Sequence, residues 1–138
     1  MAIVSGITRY GEKALLKHMF KVAPYTVPTH LTIALFTVAP SQAGGGTECA
    51  DANYLRQTED NWTAGADTDP ESVSNTDNIT FPAMAVSQAI VAVGVYDNSV
   101  IGQGNLIAWG LSSFTAGVGV QVEYIANAFV INMNGSQT

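Results

Sequence analysis

The sequence predicts an all-β fold: a two-sheet antiparallel sandwich, jelly-roll-like, with one N-terminal helix, as a single domain over residues 1–138. Three observations point there. Residues 88–133 carry an almost continuous period-two alternation of β-branched and aromatic side chains, the pattern of strands on a packed sheet. Residues 31–37 repeat it with both faces mostly apolar, as a strand inside a sheet requires. Helical spacing is confined to one short segment ahead of Pro24. Many strands, turn signals at sandwich-like spacing and a lone helix define the class.

The helix is expected over about 11–22. Gly11 serves as N-cap, Glu12 sits by the positive end of the dipole, and Tyr10 packs on Leu15 as a staple. Leu15/Met19 and Leu16/Phe20 are i, i+4 pairs forming an apolar stripe, and Lys13, Lys17 and Lys21 recur every four residues beside it. Pro24 stops the helix. So short a helix is marginal alone in water, so the stripe must dock on the sheet or on another molecule.

The segment His30–Gln57, HLTIALFTVAPSQAGGGTECADANYLRQ, organises the chain. Leu31, Ile33 and Leu35 share one face of a strand; Thr32, Ala34 and Phe36 share the other. Pro40 ends it, having no N–H for a ladder. Gly44, Gly45 and Gly46 form a hinge, and Tyr54–Gln57 resumes as a second strand. A buried strand feeding a glycine loop reads as scaffold plus display. Glu59–Asn78 has loop chemistry, with Trp62 its one large apolar residue. Ile79–Pro82 is a short edge strand. Ile90–Tyr96 follows, with Gly94 permitting close approach, and Ile101–Trp109 pairs back on it. Val118–Tyr124 and Phe129–Met133 are the last strands. The expected core is Leu31, Ile33, Leu35, Val91, Val93, Val95, Leu106, Val120, Val122, Phe129 and Ile131.

Composition narrows the function. A hydrophobic content of 47% excludes a disordered chain. No apolar run approaches the roughly 20 residues of a membrane helix, and residues 1–6 lack a basic segment leading into an apolar one. Cys49, the one cysteine, cannot form an intrachain disulfide. The net charge of −6 is unevenly laid out: four of five basic residues lie at 9–21 and eight of eleven acids at 48–77. That polarity suits docking in one orientation on a charged surface.

The residues offer little chemistry. His18 and His30 have no nucleophile, base or ligand partner at a recognisable spacing. Gly44-Gly45-Gly46-Thr47 lacks the Lys-Ser/Thr ending of a phosphate loop. Asp67-Thr68-Asp69-Pro70-Glu71 lacks the turn glycine and glutamate spacing of a calcium loop. Five basic residues beside acidic loops do not suit nucleic acid. The expectation is a non-enzyme with no catalytic residue, no metal, no cofactor, no nucleic acid and no membrane.

Several stretches carry a family likeness: ALLKHMFKVAPYTVPTHLTIALFTVAPSQAGGGTE at 14–48, Tyr54-Leu55-Arg56, SNTDNITFP at 74–82, VGVYD at 93–97 and GNLIAWGLS at 104–112. In this order they resemble small virion proteins of tailed bacteriophages. Such proteins are often labelled tail-fibre proteins, and close relatives serve as capsid cement proteins. The resemblance implies a cement (decoration) protein, made in the bacterial host cytoplasm, that clamps neighbouring major capsid protein subunits on the outside of the head. The alternative is a tail or tail-fibre-associated component that binds a receptor. For partner contact the expected residues are Tyr54 and Trp62 as aromatic anchors, Arg56 as ion-pair former and the loop at Gly44, Gly45 and Gly46. A homodimer, with a trimer as second choice, is expected through the apolar strand 128–133.

Overall fold

A computed structural model describes residues 3–67 and 71–133. In chain order the elements are β1 (Ile3–Ile7), α1 (Arg9–Met19), β2 (Thr32–Val38), β3 (Thr47–Glu48), β4 (Gln57–Thr58), β5 (Trp62–Ala64), β6 (Ser72–Asn75), β7 (Ile79–Thr80), β8 (Gln88–Tyr96), β9 (Leu106–Ala116), β10 (Glu123–Tyr124) and β11 (Phe129–Asn132). Nine strands form one sheet in the order β3-β2-β8-β9-β1-β11-β6-β5, with β4 beside β2; β7 and β10 form a second, two-stranded sheet. The fold is all-β and sandwich-like with one helix, as the alternation predicts. It is mixed rather than purely antiparallel, because β1 runs parallel to β11.

The middle of the sheet follows from its side chains. Both faces of β2 are apolar, and residues 32–36 are all buried. Ile33 and Leu35, with Val93 and Val95 of β8, point into the main core, where Phe129, Ile79, Phe81, Met84 and Tyr124 meet them. The far end of the large sheet and the small sheet thus curl over one face of β2 and β8. The opposite face holds a smaller cluster of Ala34, Phe36, Ala92 and Leu106. Gly94 belongs to that face. A Cβ there would lie 2.7 Å from Leu106 Cδ1 and 3.0 Å from Phe36 Cε2, so the close approach expected at this glycine is a packing requirement.

Several elements differ from expectation. Residues 3–7 form an interior strand between β9 and β11, although their sequence carries no distinguishing pattern. The helix begins at Arg9, not Gly11. Thr8 is the N-cap: its Oγ1 accepts from Gly11 N at 3.3 Å and donates to Leu106 O at 2.6 Å, tying the helix start to β9. Gly11 instead lets α1 sit on the sheet, since a Cβ would lie 2.6 Å from Ile7 Cγ2. The helix ends at Met19, and Lys21 turns the chain with φ 58°. Glu59–Asn78 is not one loop, for β5 and β6 pair within it at the sheet edge. Tyr54–Arg56 lies outside any strand, and only Gln57–Thr58 joins β2. The return strand starts at Leu106 and runs on to Ala116, after a loop over 97–105. Val118 and Val120, both expected in a strand and Val120 also in the core, sit at an exposed turn around Gly119.

Candidate functional site

The residues expected at a partner surface divide sharply. Tyr54 and Arg56 point inward, and the apolar Leu55 between them is 61% exposed. The Tyr54 hydroxyl donates to Glu48 Oε1 at 2.7 Å and accepts from Leu35 N at 3.0 Å. It thereby satisfies β2 at the gap between β4 and β3, where no strand is available. Burial, with the Glu48 charge beside it, pushes the Tyr54 phenol well above its ordinary pKa.

Arg56 completes this clasp. Its Nε and Nη2 hold the two Glu48 oxygens at 2.8 Å each, a bidentate pair. Nη1 donates to the carbonyls of Asn98 at 2.6 Å and Gln103 at 2.9 Å, and the guanidinium lies 3.8 Å over the Tyr96 ring. One side chain therefore joins β3, the 54–56 segment, β8 and the loop after it. It is the inward ion pair of a structural joint, and its guanidinium is fully buried.

Trp62 sits at the edge strand β5, half-buried against the main core. Its ring meets Phe129 edge-on at 6.0 Å, and Nε1 donates to Glu59 O at 2.9 Å. Both its faces of interaction lie within the domain. At the glycine loop, Gly44, Gly45 and Gly46 all have positive φ, between 79° and 91°, a run that favours glycine. Ser41 and Gly44 exchange backbone hydrogen bonds, and Gln42 O accepts from Arg9 N at 3.0 Å, so the loop is stitched to the start of α1.

Several acids of the 48–60 stretch are likewise bound by this chain's own groups. Asp51 accepts from the backbone N–H of Asn53, Ala85 and Val86 at 2.9–3.0 Å, and these donors hold its pKa below the ordinary value. Glu59 is buried and accepts from Asn61 N at 2.7 Å. Asp60 meets His30 Nδ1 at 2.6 Å, and that hydrogen bond lowers the carboxyl pKa. Asn75, also missed in the sequence, is fully buried and ties Asp77 O, Ile125 O and Phe129 N together. Its one visible signal is a position inside the Asn-rich stretch that precedes Ile79-Thr80-Phe81-Pro82. The Asp67–Glu71 run lies partly outside the described residues. Among the described residues no three His, Cys, Asp or Glu side chains converge on a metal position. Cys49 is buried, which raises its thiol pKa, away from the thiolate that reactivity needs. No helix is long and apolar enough to cross a membrane.

What remains uncovered is the outward face of α1 and the strap behind it, residues 20–31. No helix residue with a described side chain is fully buried. Leu16, Met19, Phe20, Val22 and Val27 are between 55% and 77% exposed. Tyr25 N donates to His18 Nδ1 at 3.1 Å and folds the strap back against the helix. Strand β11, expected as a self-association edge, is instead covered on both sides by β1 and β6.

No curated protein matches the chain. A family model described as podophage GP4 fiber I protein gp80 matches residues 6–127, from the last residues of β1 to the turn before β11, and so takes in the clasp and the exposed helix alike. The chain belongs to this family of phage virion proteins.

Proposed function

We propose that this protein is a non-catalytic structural component of the phage particle that works by binding a neighbouring virion protein, and that α1 with its strap makes the contact. The observation that carries the proposal is the outward apolar face: Leu16, Met19, Phe20, Val22 and Val27, five large side chains within twelve residues, stand in solvent. Contiguous apolar surface of this kind marks interaction sites, and each such side chain contributes about 1.5–3 kcal/mol when fully buried. The family's description, a fibre protein, favours attachment at the tail or a tail fibre.

Capsid cement, clamping neighbouring major capsid protein subunits, is the second placement. A clamp needs two faces. Val120 and Ile125 are both exposed and line one open pocket with residues 112–116 at the far end of β9, away from the α1 end. Among the described residues β5 is an edge of the large sheet, so self-pairing into a dimer or trimer would use it rather than β11. Quantifying the protein in purified particles, with antibody labelling in the electron microscope, separates the placements. Copies confined to the tail support the fibre reading, and copies in proportion to the major capsid protein support cement. Absence from mature particles removes both.

A further inference from the structure

Four basic residues lie in or just after α1, and among the described residues none is ion-paired with a carboxylate. Arg9, Lys13, Lys17 and Lys21 make no ion pair within the described residues, whereas the fifth basic residue, Arg56, is held by Glu48. Lys13 and Lys17 are four apart on the helix, where like charges repel. The carboxylate beside Tyr10 is no remedy: Asp97 lies 3.5 Å from the Tyr10 hydroxyl and is already bound by Asn105 N at 2.6 Å and Asn105 Nδ2 at 2.9 Å.

Apolar and basic groups are contiguous here. At about 100° per residue around a helix, Met19 and Leu16, with Glu12 between them one turn or more toward the N-terminus, lead into Lys13 and Lys17, and these into Tyr10. Behind the lysines an open groove of about 450 Å³ runs between helix and strap, lined also by Ala14, Pro24 and Tyr25. Two lysines at the border of an apolar patch match one kind of occupant.

Building on the virion-component reading, we propose that this face is a socket for an acidic, apolar segment of a neighbouring virion protein. A carboxylate of the segment sits between Lys13 and Lys17 at the groove, and its apolar side chains cover Leu16, Met19, Phe20 and Val22. Charge complementarity sets the partner's sign, and the apolar patch supplies the affinity. An anionic bilayer is the poorer occupant, since the chain as a whole carries −6 and the surface beside the patch is a groove rather than a flat face.

The test uses particles from a phage lacking this gene, purified protein added back, and sedimentation over a salt series. Phe20→Ser with Val22→Ser should weaken binding at least about tenfold at every salt concentration, as loss of interface anchors does. Lys13→Glu with Lys17→Glu should weaken it about tenfold or more at low salt and flatten the salt dependence. Lys13→Arg with Lys17→Arg should bind as the parent. Unchanged melting curves show that each variant is folded. Parent-like particle binding by either disruptive pair overturns the socket while leaving the virion-component reading in place. So does a result in which the parent ignores particles but binds phosphatidylglycerol vesicles, or in which the same residues govern only self-association. A protein absent from mature particles removes the socket and the virion-component reading together.

Discussion

The acidic segment from Glu48 to Asp60 and the basic segment from Arg9 to Lys21 look like opposite poles of one charged surface. The fold treats them differently. Glu48, Asp51, Glu59 and Asp60 are each engaged by a guanidinium, an imidazole or backbone N–H groups of this chain. Arg9, Lys13, Lys17 and Lys21 have no such ion-pair partners among the described residues, and the apolar side chains beside them are exposed. One pole is used up in building the domain; the other is left for something outside it. Counting charges along a sequence cannot make that distinction, because it depends on what the chain brings opposite each group.

The largest expected effect lies in the first pole. Arg56→Met removes the cation from a carboxylate that is itself largely buried, and an uncompensated buried charge costs about 3–5 kcal/mol. A urea melt should show the loss directly. Adding Glu48→Gln should restore part of it, since the orphaned charge, rather than the missing pair, is what destabilises. A single variant as stable as the parent would mean that the clasp is incidental to folding.

The central strands were legible because their signal is local. Ile33, Leu35, Val93 and Val95 alternate within their own strands, and Gly94 announces a close approach by lacking a side chain. Strand β1 was not legible: its partner β11 lies at the other end of the chain, and nothing in residues 3–7 encodes that pairing. Strands β5 and β6 read as loop because an edge hairpin in solvent keeps Ser, Thr and Asn on its exposed side. Val118 and Val120 alternate correctly but flank Gly119 at a turn, where no ladder takes them up. Tyr54 and Arg56 are of the residue types, aromatic and arginine, that often anchor interfaces. Their period-two pattern is inverted, polar side chains inward and Leu55 outward, and only the position of Glu48 opposite them explains it.

Trp62 gives the next effect. Truncation to Ala removes the edge contact on Phe129 and the indole hydrogen bond to Glu59 O. The site is half-buried, so a loss of about 2 kcal/mol is expected, below the 3–5 of a fully buried aromatic. Retention on particles should be unaffected once folding is corrected for. Detachment of a fully folded Trp62→Ala protein would return this residue to the contact surface and blur the division between the two poles.

Acid should act on the same pole more gently. The carboxyls of Asp51 and Asp60 are both held below the ordinary aspartate value of 3.8, Asp51 by backbone donors and Asp60 by the His30 hydrogen bond. Depressed folded-state pKa values give stability that is fully present above the unfolded value and is lost as pH falls through the folded one. Stability should therefore decline from about pH 4 downward. Asp51→Asn should flatten that decline, while lowering stability at pH 7. An unchanged acid profile in this variant would show that its three backbone donors are satisfied equally well by a neutral side chain.

The smallest effect on the isolated protein belongs to the other pole. Met19 and Phe20 are 63% and 72% exposed, so replacing both with Ser removes almost no area that folding had buried. Exposed substitutions away from the core shift stability by no more than about 0.5 kcal/mol each, and Phe20, the C-cap, bonds Leu16 O through its backbone N–H, which Ser keeps. Ser is only modestly poorer than Met as a helix former, and Met19 is the last residue of α1, where helices fray. The melting temperature of Met19→Ser/Phe20→Ser should match the parent, and its solubility should rise as the apolar patch shrinks. A loss of more than about 1 kcal/mol would mean that these side chains pack on the strap or sheet in solution. The helix would then belong with the clasp as part of the structural frame, and the contact face would have to be sought around Val120 and Ile125.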